Sequence, residues 1–191
     1  MSYSKVSNML LQEYQTCWAY EFEQLKNKIL APILNLPVQL EHVGSTSITG
    51  LAAKPIIDID LVFQGQIFNQ IKQALESLGY YHAGDQGIKD REVFKRALNP
   101  HSDAILDQIS HHLYVCPFES IEWRRHVFFR NYLRTNPNMA KVYQALKIAI
   151  AEAASQDRKK YALLKETKAK AFFDSIFLNA DLDTVLKSRI I

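Results

Sequence analysis

The chain has 191 residues, 48% of them hydrophobic and 23% charged, which suits one domain or one core with a helical extension and excludes a disordered chain. Its 23 basic and 20 acidic residues leave a formal charge of +3, too balanced to argue by itself for nucleic acid or an anionic membrane. Cys17 and Cys116 stand alone, without metal-ligand spacing or a disulfide framework, and both read as core residues in a reduced compartment.

The N-terminal stretch has acids by residue 13 and shows neither a signal peptide nor a membrane span, so the expected location is the cytoplasm, with no membrane partner. Met9, Leu10, Tyr14, Cys17, Trp18, Phe22, Leu25 and Ile29 recur at helical spacing and predict a helix from Val6 to Leu30, ended by Pro32 and Pro37. A strand over Gln39 to Val43 leads through a Gly-Ser turn and a Thr46 to Ala53 connection into an apolar strand bearing Asp58 and Asp60. A helix over Ile67 to Leu78 closes on Gly79. Tyr80 to His82 reads as a short strand, Gly84 to Asp90 as a loop, and Glu92 to Leu98 as a strand that turns at Asn99-Pro100 toward a further strand, Ile105 to Cys116. Beyond Cys116 the pattern turns helical, with segments over Glu119 to Arg134, Pro137 to Ala154 and Asp157 to Leu178, the second opened by the cap Asn136 and a first-turn proline. The expected organisation is an α/β core over residues 1–116 with a helical part, residues 117–191, packed on it.

Parity along Pro55 to Phe63 puts Ile57, Ile59, Leu61 and Phe63 on one face and Ile56, Asp58, Asp60 and Val62 on the other. Residues two apart on a strand have Cα atoms roughly 7 Å apart, so both carboxylates can converge on one divalent ion or on a pair roughly 4 Å apart. Without a cation, two like charges side by side in an apolar strand are unfavourable, since each loses water and repels its neighbour. The competing reading is an exposed edge strand on which Asp is tolerated. Asp is a poor strand former, and its neighbours here suggest a buried central strand. Gly44-Ser45-Thr46 adds a turn at which backbone amides and two small hydroxyls can approach a phosphate with no Cβ in the way.

Together, His42-Val-Gly-Ser-Thr-Ser47 and Gly50-Leu-Ala-Ala-Lys-Pro-Ile-Ile-Asp-Ile-Asp60 resemble the signature of the nucleotidyltransferase superfamily. The wording is similar to its GrpB branch. Later segments extend the resemblance over nearly the whole chain: His111 to Val115, Phe129-Arg-Asn-Tyr-Leu-Arg134, Tyr143-Gln-Ala-Leu-Lys147, and Tyr161 with Lys165. The resemblance implies an α+β (α/β) fold, a nucleotidyltransferase-like mixed β-sheet core flanked by helices with a C-terminal helical part. It implies transfer of a nucleotidyl group from a nucleoside triphosphate to an acceptor, a small molecule or a protein hydroxyl, with Asp58 and Asp60 holding Mg²⁺ or Mn²⁺ and Gly44, Ser45 and Thr46 seating phosphates.

The resemblance departs from the superfamily pattern at one place. Members that catalyse usually carry a third Asp or Glu on a later strand, and the matching position here is His112. A neutral imidazole can ligate a metal or act as a base; the alternatives are weakened metal binding or a hydrogen-bonded strand histidine. Asp107 is a reserve candidate, five residues earlier. Lys54 either meets phosphate oxygens or is solvated, and His42 either contacts a phosphate or packs. Arg91 and Lys95 would line the site if their strand runs beside that of Asp60. Arg130 and Arg134, four apart on one helix face, offer two guanidinium groups to a phosphate or form a solvated basic stripe. Two further function classes stay open: a nucleotide-binding pseudoenzyme, and an RNA or protein interaction module built on the arginine-rich helix.

Overall fold

The computed structural model describes residues 9–97, 103–178 and 180–187. Five strands form one mixed sheet in the order β1-β2-β5-β4-β3, where β1 is Val38–Val43, β2 Ile57–Phe63, β3 Tyr80–His82, β4 Glu92–Arg96 and β5 His111–Pro117. β1 runs antiparallel to β2, β2 parallel to β5, and β4 antiparallel to both β5 and β3. β2 is therefore a central strand, as its apolar residues predict, and Ile57, Ile59 and Leu61 are essentially without solvent exposure.

The alternation along β2 decides what covers each face of the sheet. Ile57, Ile59, Leu61 and Phe63 join Leu113 and Val115 of β5 and pack against helices α1 (Cys17–Leu30), α2 (Phe68–Ser77) and α3 (Ala104–Gln108) through Phe22, Leu25, Ile29, Ile71, Leu75 and Leu106. The other face carries Val43, Val62 and Cys116, which pack on Trp123 and Val127 of α4 (Ile121–Thr135). Beyond α4 lie α5 (Pro137–Ala153), α6 (Arg158–Lys168), α7 (Lys170–Phe177) and the short α8 (Asp183–Lys187). An aromatic cluster of Phe129, Tyr143, Phe172 and Phe173 holds α4, α5 and α7 together.

Several elements differ from their sequence patterns. The first helix begins at Cys17, because the chain before it is drawn into the fold: Gln12 exchanges two backbone hydrogen bonds with Ala53, and Leu11 packs among Ile150, Ala154 and Tyr161. Val6, the expected start, lies outside the described residues, as do Leu98, Asn99 and Pro100. The strand expected over Ile105 to Cys116 is a short helix followed by β5. Asp103 starts that helix by accepting from the backbone N–H groups of Ile105 and Leu106 at 2.9 and 3.1 Å. Asp107 is thereby taken out of the strand and pairs with Arg96. The helix expected over Asp157 to Leu178 breaks into α6 and α7 at Ala169, which is fully buried. Gly79 does close α2, in the left-handed conformation at φ 83°. Cys116 is buried, but Cys17 is exposed on the first turn of α1.

Candidate active site

The antiparallel register sets Val43, the last residue of β1, opposite Asp58, so the turn that follows lies against that carboxylate. Gly44 adopts φ 70°, and a Cβ built there would stand 2.2 Å from Asp58 Oδ2. Only glycine satisfies both the left-handed backbone and the close approach. The hydroxyl of Ser47 donates to Gly44 O at 2.6 Å and closes the turn.

Asp58 and Asp60 share the face covered by the C-terminal helices, and each carboxylate meets a histidine. Asp58 Oδ1 accepts from His112 Nδ1 at 2.9 Å, across the β2–β5 pair in which the two residues are direct neighbours. Asp60 Oδ2 accepts from His126 Nδ1 of α4 at 2.9 Å. Asp60 is fully buried, and its Oδ1 has no hydrogen-bond partner. Burial pushes the Asp58 carboxyl up, but the His112 hydrogen bond and the charges of His112, Lys165 and His126 outweigh it and hold the group below the ordinary carboxylate range. Burial also disfavours the His126 imidazolium, yet Asp60 beside it, with Glu122 and Asp58, raises its pKa above the ordinary value.

A cleft of about 610 Å³ opens over Asp58, His112 and His126, while Asp60, fully buried, does not line it. Its floor includes Gly44, Ser45, Asp58 and His112, and its opposite wall is built from α4, α5 and α6. From α5, Lys147 is 1% exposed and donates to Ser45 Oγ at 3.1 Å and to the carbonyl of Ala52. Burial, with the nearby charge of Lys165, pushes Lys147 down to about 7. Lys165 of α6 moves the other way: Tyr143, to which it is hydrogen-bonded, with Tyr161 and Asp58, holds its ammonium above the ordinary lysine range despite burial. Lys54 lies on the same rim, 5.0 Å from the Tyr161 ring centre, its pKa lowered by burial and by Lys165 and Arg158.

The remaining sequence candidates divide. His42 points to the opposite face of the sheet, stacked on Phe22 with ring centres 4.7 Å apart, where burial lowers its imidazole to about 4. It braces the turn from behind through Thr46 Oγ1, 3.0 Å away. Thr46 also donates to Ile56 O, so its hydroxyl is committed to the turn rather than to a phosphate. Arg130 is 5% exposed and donates from Nη1 to Glu41 Oε2 and to His42 O, each at 2.8 Å. It is neither a solvated stripe nor a cleft residue, because a buried guanidinium needs its carboxylate. Arg134 donates to Ser47 O, and Arg124 to Asp183 and two backbone carbonyls, which leaves the arginine-rich helix largely engaged within the fold. Arg91 and Lys95 border a second depression that adjoins the first at His112 and Tyr114.

His126 carried no sequence signal, since its role depends on how α4 docks on β2. Lys147 and Lys165 were visible only as the second members of the pairs Tyr143/Lys147 and Tyr161/Lys165, each one helical turn apart. Among the described residues no three His, Cys, Asp or Glu side chains form a group able to hold a metal ion. The acidic donors on this face are two carboxylates, Asp58 at the cleft and Asp60 buried below it with its Oδ1 unpartnered. That suits Mg²⁺, which commonly takes one or two carboxylates and completes its shell with water and substrate phosphates.

The family model described as GrpB protein matches residues 8–176. The glutamate-rich protein GrpB of Alkalihalophilus pseudofirmus is 30% identical over 88% of this chain and 93% of its own length. The UPF0157 protein YqkA of Bacillus subtilis is 33% identical over 72% of this chain, which spans only 38% of that relative. Among solved structures, the conserved protein GrpB from Enterococcus faecalis superposes with a TM-score of 0.66 at 31% identity, over 93% of this chain and 98% of that one. Cid1 in complex with the UTP analogue UMPNPP superposes at 0.51 with 12% identity, over 73% of this chain and 42% of Cid1, a likeness of fold. The match of the family model over residues 8–176, together with the superposition of the Enterococcus faecalis GrpB structure over 93% of the chain at 31% identity, places the chain in the GrpB family.

Proposed function

We propose that this protein is a metal-dependent nucleotidyltransferase that moves a nucleotidyl group from a nucleoside triphosphate to an acceptor hydroxyl. The observation that carries this reading is Asp58, with Asp60 buried two residues further along the same strand face, at a cleft whose near side is the Gly44-Ser45 turn and whose far wall holds Lys147 and Lys165. The glycine turn admits a phosphate to backbone range, and the lysines offset its charge from the other side. Asp58 and Asp60 would hold Mg²⁺ or Mn²⁺, which when bound neutralises phosphate charge and lowers the pKa of the attacking hydroxyl. His112 uses Nδ1 toward Asp58, and its Nε2 is the nitrogen that can take the acceptor proton. The acceptor oxygen forms a bond to the α-phosphorus, the bond from that phosphorus to the bridging oxygen breaks, and pyrophosphate leaves with the electron pair. Cid1 is known bound to a UTP analogue and to MgATP, which supports a triphosphate as donor on this fold.

Thermal melting with each nucleoside triphosphate, with and without Mg²⁺ or Mn²⁺, tests the binding half, because a ligand selective for the folded state raises Tm by mass action. The expected result is a metal-dependent rise with at least one nucleotide that is lost in Asp58→Asn. No rise with any nucleotide overturns the proposal. A second reading, nucleotide binding without turnover, is favoured by one observation: the strand position beside Asp58 carries His112 instead of a third carboxylate. Release of pyrophosphate that depends on Asp58 decides against it.

A further inference from the structure

The two depressions meet along a line that crosses the sheet. Val43, next to the glycine turn, pairs with Asp58, and Asp58 pairs with His112. On β4, Val93 pairs with Tyr114 and Phe94 with Leu113, so the antiparallel register brings Lys95 to the level of His112. The order across the sheet is thus phosphate turn, carboxylate, histidine, lysine. The first depression holds the turn and the helix lysines on one side of Asp58; the second, of about 750 Å³, begins at His112 and Tyr114 and extends over β4.

The second depression has its own chemistry. Arg91 lies over the Tyr114 ring, 4.7 Å from its centre, and its Nε is buried with no hydrogen-bond partner. Stacking fixes the guanidinium plane at the lining of the depression, and among the described residues no carboxylate pairs with Arg91, so its charge is left to attract an anion there. Lys95 is exposed on the same face, and among the described residues no acid pairs with it. The acid at this rim, Asp107, is taken up by Arg96. In-line displacement needs the attacking oxygen on the side of the α-phosphorus away from the leaving pyrophosphate. With the pyrophosphate seated toward Ser45 and Lys147, the attacker must come from the His112 side, which is the second depression.

We propose that this depression is the acceptor site and that it takes a small hydroxyl compound bearing a phosphate or carboxylate, which Arg91 and Lys95 grip while the hydroxyl faces His112. The assignment of the attacking side rests on the nucleotidyltransferase reading; the anion site itself does not. Its concave form and the balanced overall charge favour a small molecule over a nucleic-acid strand.

The test uses the ¹⁵N-labelled full chain and follows the Arg91 Nε–H resonance, assigned by its loss in Arg91→Gln, during titration with glycerol 3-phosphate and, separately, with citrate. The expected result is a saturable shift with at least one of them, weakened about tenfold in Lys95→Gln, as for loss of one charge-assisted hydrogen bond, and retained in Asp58→Asn. Lys95 is exposed, so its variant folds. A shift that does not saturate, or that is unchanged in Lys95→Gln, overturns the anion site. A single-stranded RNA oligonucleotide that displaces the small anion at far lower concentration, with steep salt dependence, overturns the small-molecule assignment. If the anion binds while the nucleotide melting test fails, the nucleotidyltransferase reading falls and the anion site stands.

Discussion

Lys147 Nζ lies 3.1 Å from Ser45 Oγ, so α5 is tied by a buried ammonium to the turn between β1 and β2. This contact couples the helical wall of the cleft to the Gly44-Ser45 turn, and its chemistry depends on pH. Burial lowers Lys147 to about 7, against an ordinary value near 10.5. Between those two values the unfolded chain binds the proton that the folded chain has released, so stability rises with pH across that window and is flat below it. Burial raises the Cys116 thiol and the Tyr114 hydroxyl, which works the other way toward pH 10, so the Lys147 contribution, on the order of a few kcal/mol, is read as the difference between the native protein and Lys147→Met in chemical denaturation at pH 7 and pH 10. Lys147→Met, which keeps the volume and removes the charge, is expected to abolish it.

The same lysine predicts proton uptake on nucleotide binding. A triphosphate beside Lys147 and Lys165 restores the charged form, so binding above pH 7 should draw a proton from solution, and affinity should fall as pH rises from 7 to 9. Calorimetry in two buffers of different ionisation enthalpy measures the uptake; Lys147→Met is expected to bind more weakly and to take up none.

Gly44 is predicted to be irreplaceable. In Gly44→Ala the new Cβ meets Asp58 Oδ2 at 2.2 Å on a backbone of φ 70°, so the carboxylate must rotate away from the turn. The left-handed strain alone costs roughly 1–2 kcal/mol. The expected outcome is lower stability in urea together with loss of any metal-dependent nucleotide shift, whereas Gly65→Ala, where a Cβ meets nothing, should show the strain alone.

Arg130 and Glu41 form a buried ion pair at 2.8 Å. Removing one partner leaves the other charged and desolvated, so Arg130→Met is expected to destabilise by about 3–5 kcal/mol. If Arg130 bound substrate instead, the variant would keep its stability and lose nucleotide affinity; denaturation and melting shift measured side by side separate the two.

His126→Ala leaves Asp60, fully buried, without its one described partner. A loss of about 3 kcal/mol is expected, and His126→Gln, which can still donate to the carboxylate, should recover part of it. Equal losses in both variants would show that packing of α4, not the hydrogen bond, dominates there.

The chemistry-bearing strand was legible because its two requirements are local. Alternation along Ile57 to Phe63 sorts the aspartates onto one face without reference to any other element, and a glycine before Ser45 marks a turn wherever the chain goes next. Capping was legible for the same reason at Gly79. The short helix of Ala104–Gln108 was not, because its apolar residues fit a strand equally well and Asp103, the residue that starts it, reads as an ordinary loop acid.

The sequence by itself determined the central strand, the glycine turn, the family and the sharing of one sheet face by the two carboxylates, since each follows from the order of residues along the chain. Only the tertiary structure decided which cations face them. Four arginines of α4 share similar surroundings in sequence, yet docking on the sheet commits Arg130 to Glu41 and turns His126 onto Asp60. Lys147 and Lys165 come from helices more than 80 residues beyond the turn and reach the cleft because the faces of α5 and α6 must bury Tyr143 and Tyr161. A side chain's partner across such a distance is set by how apolar faces pack, which spacing within one helix does not encode.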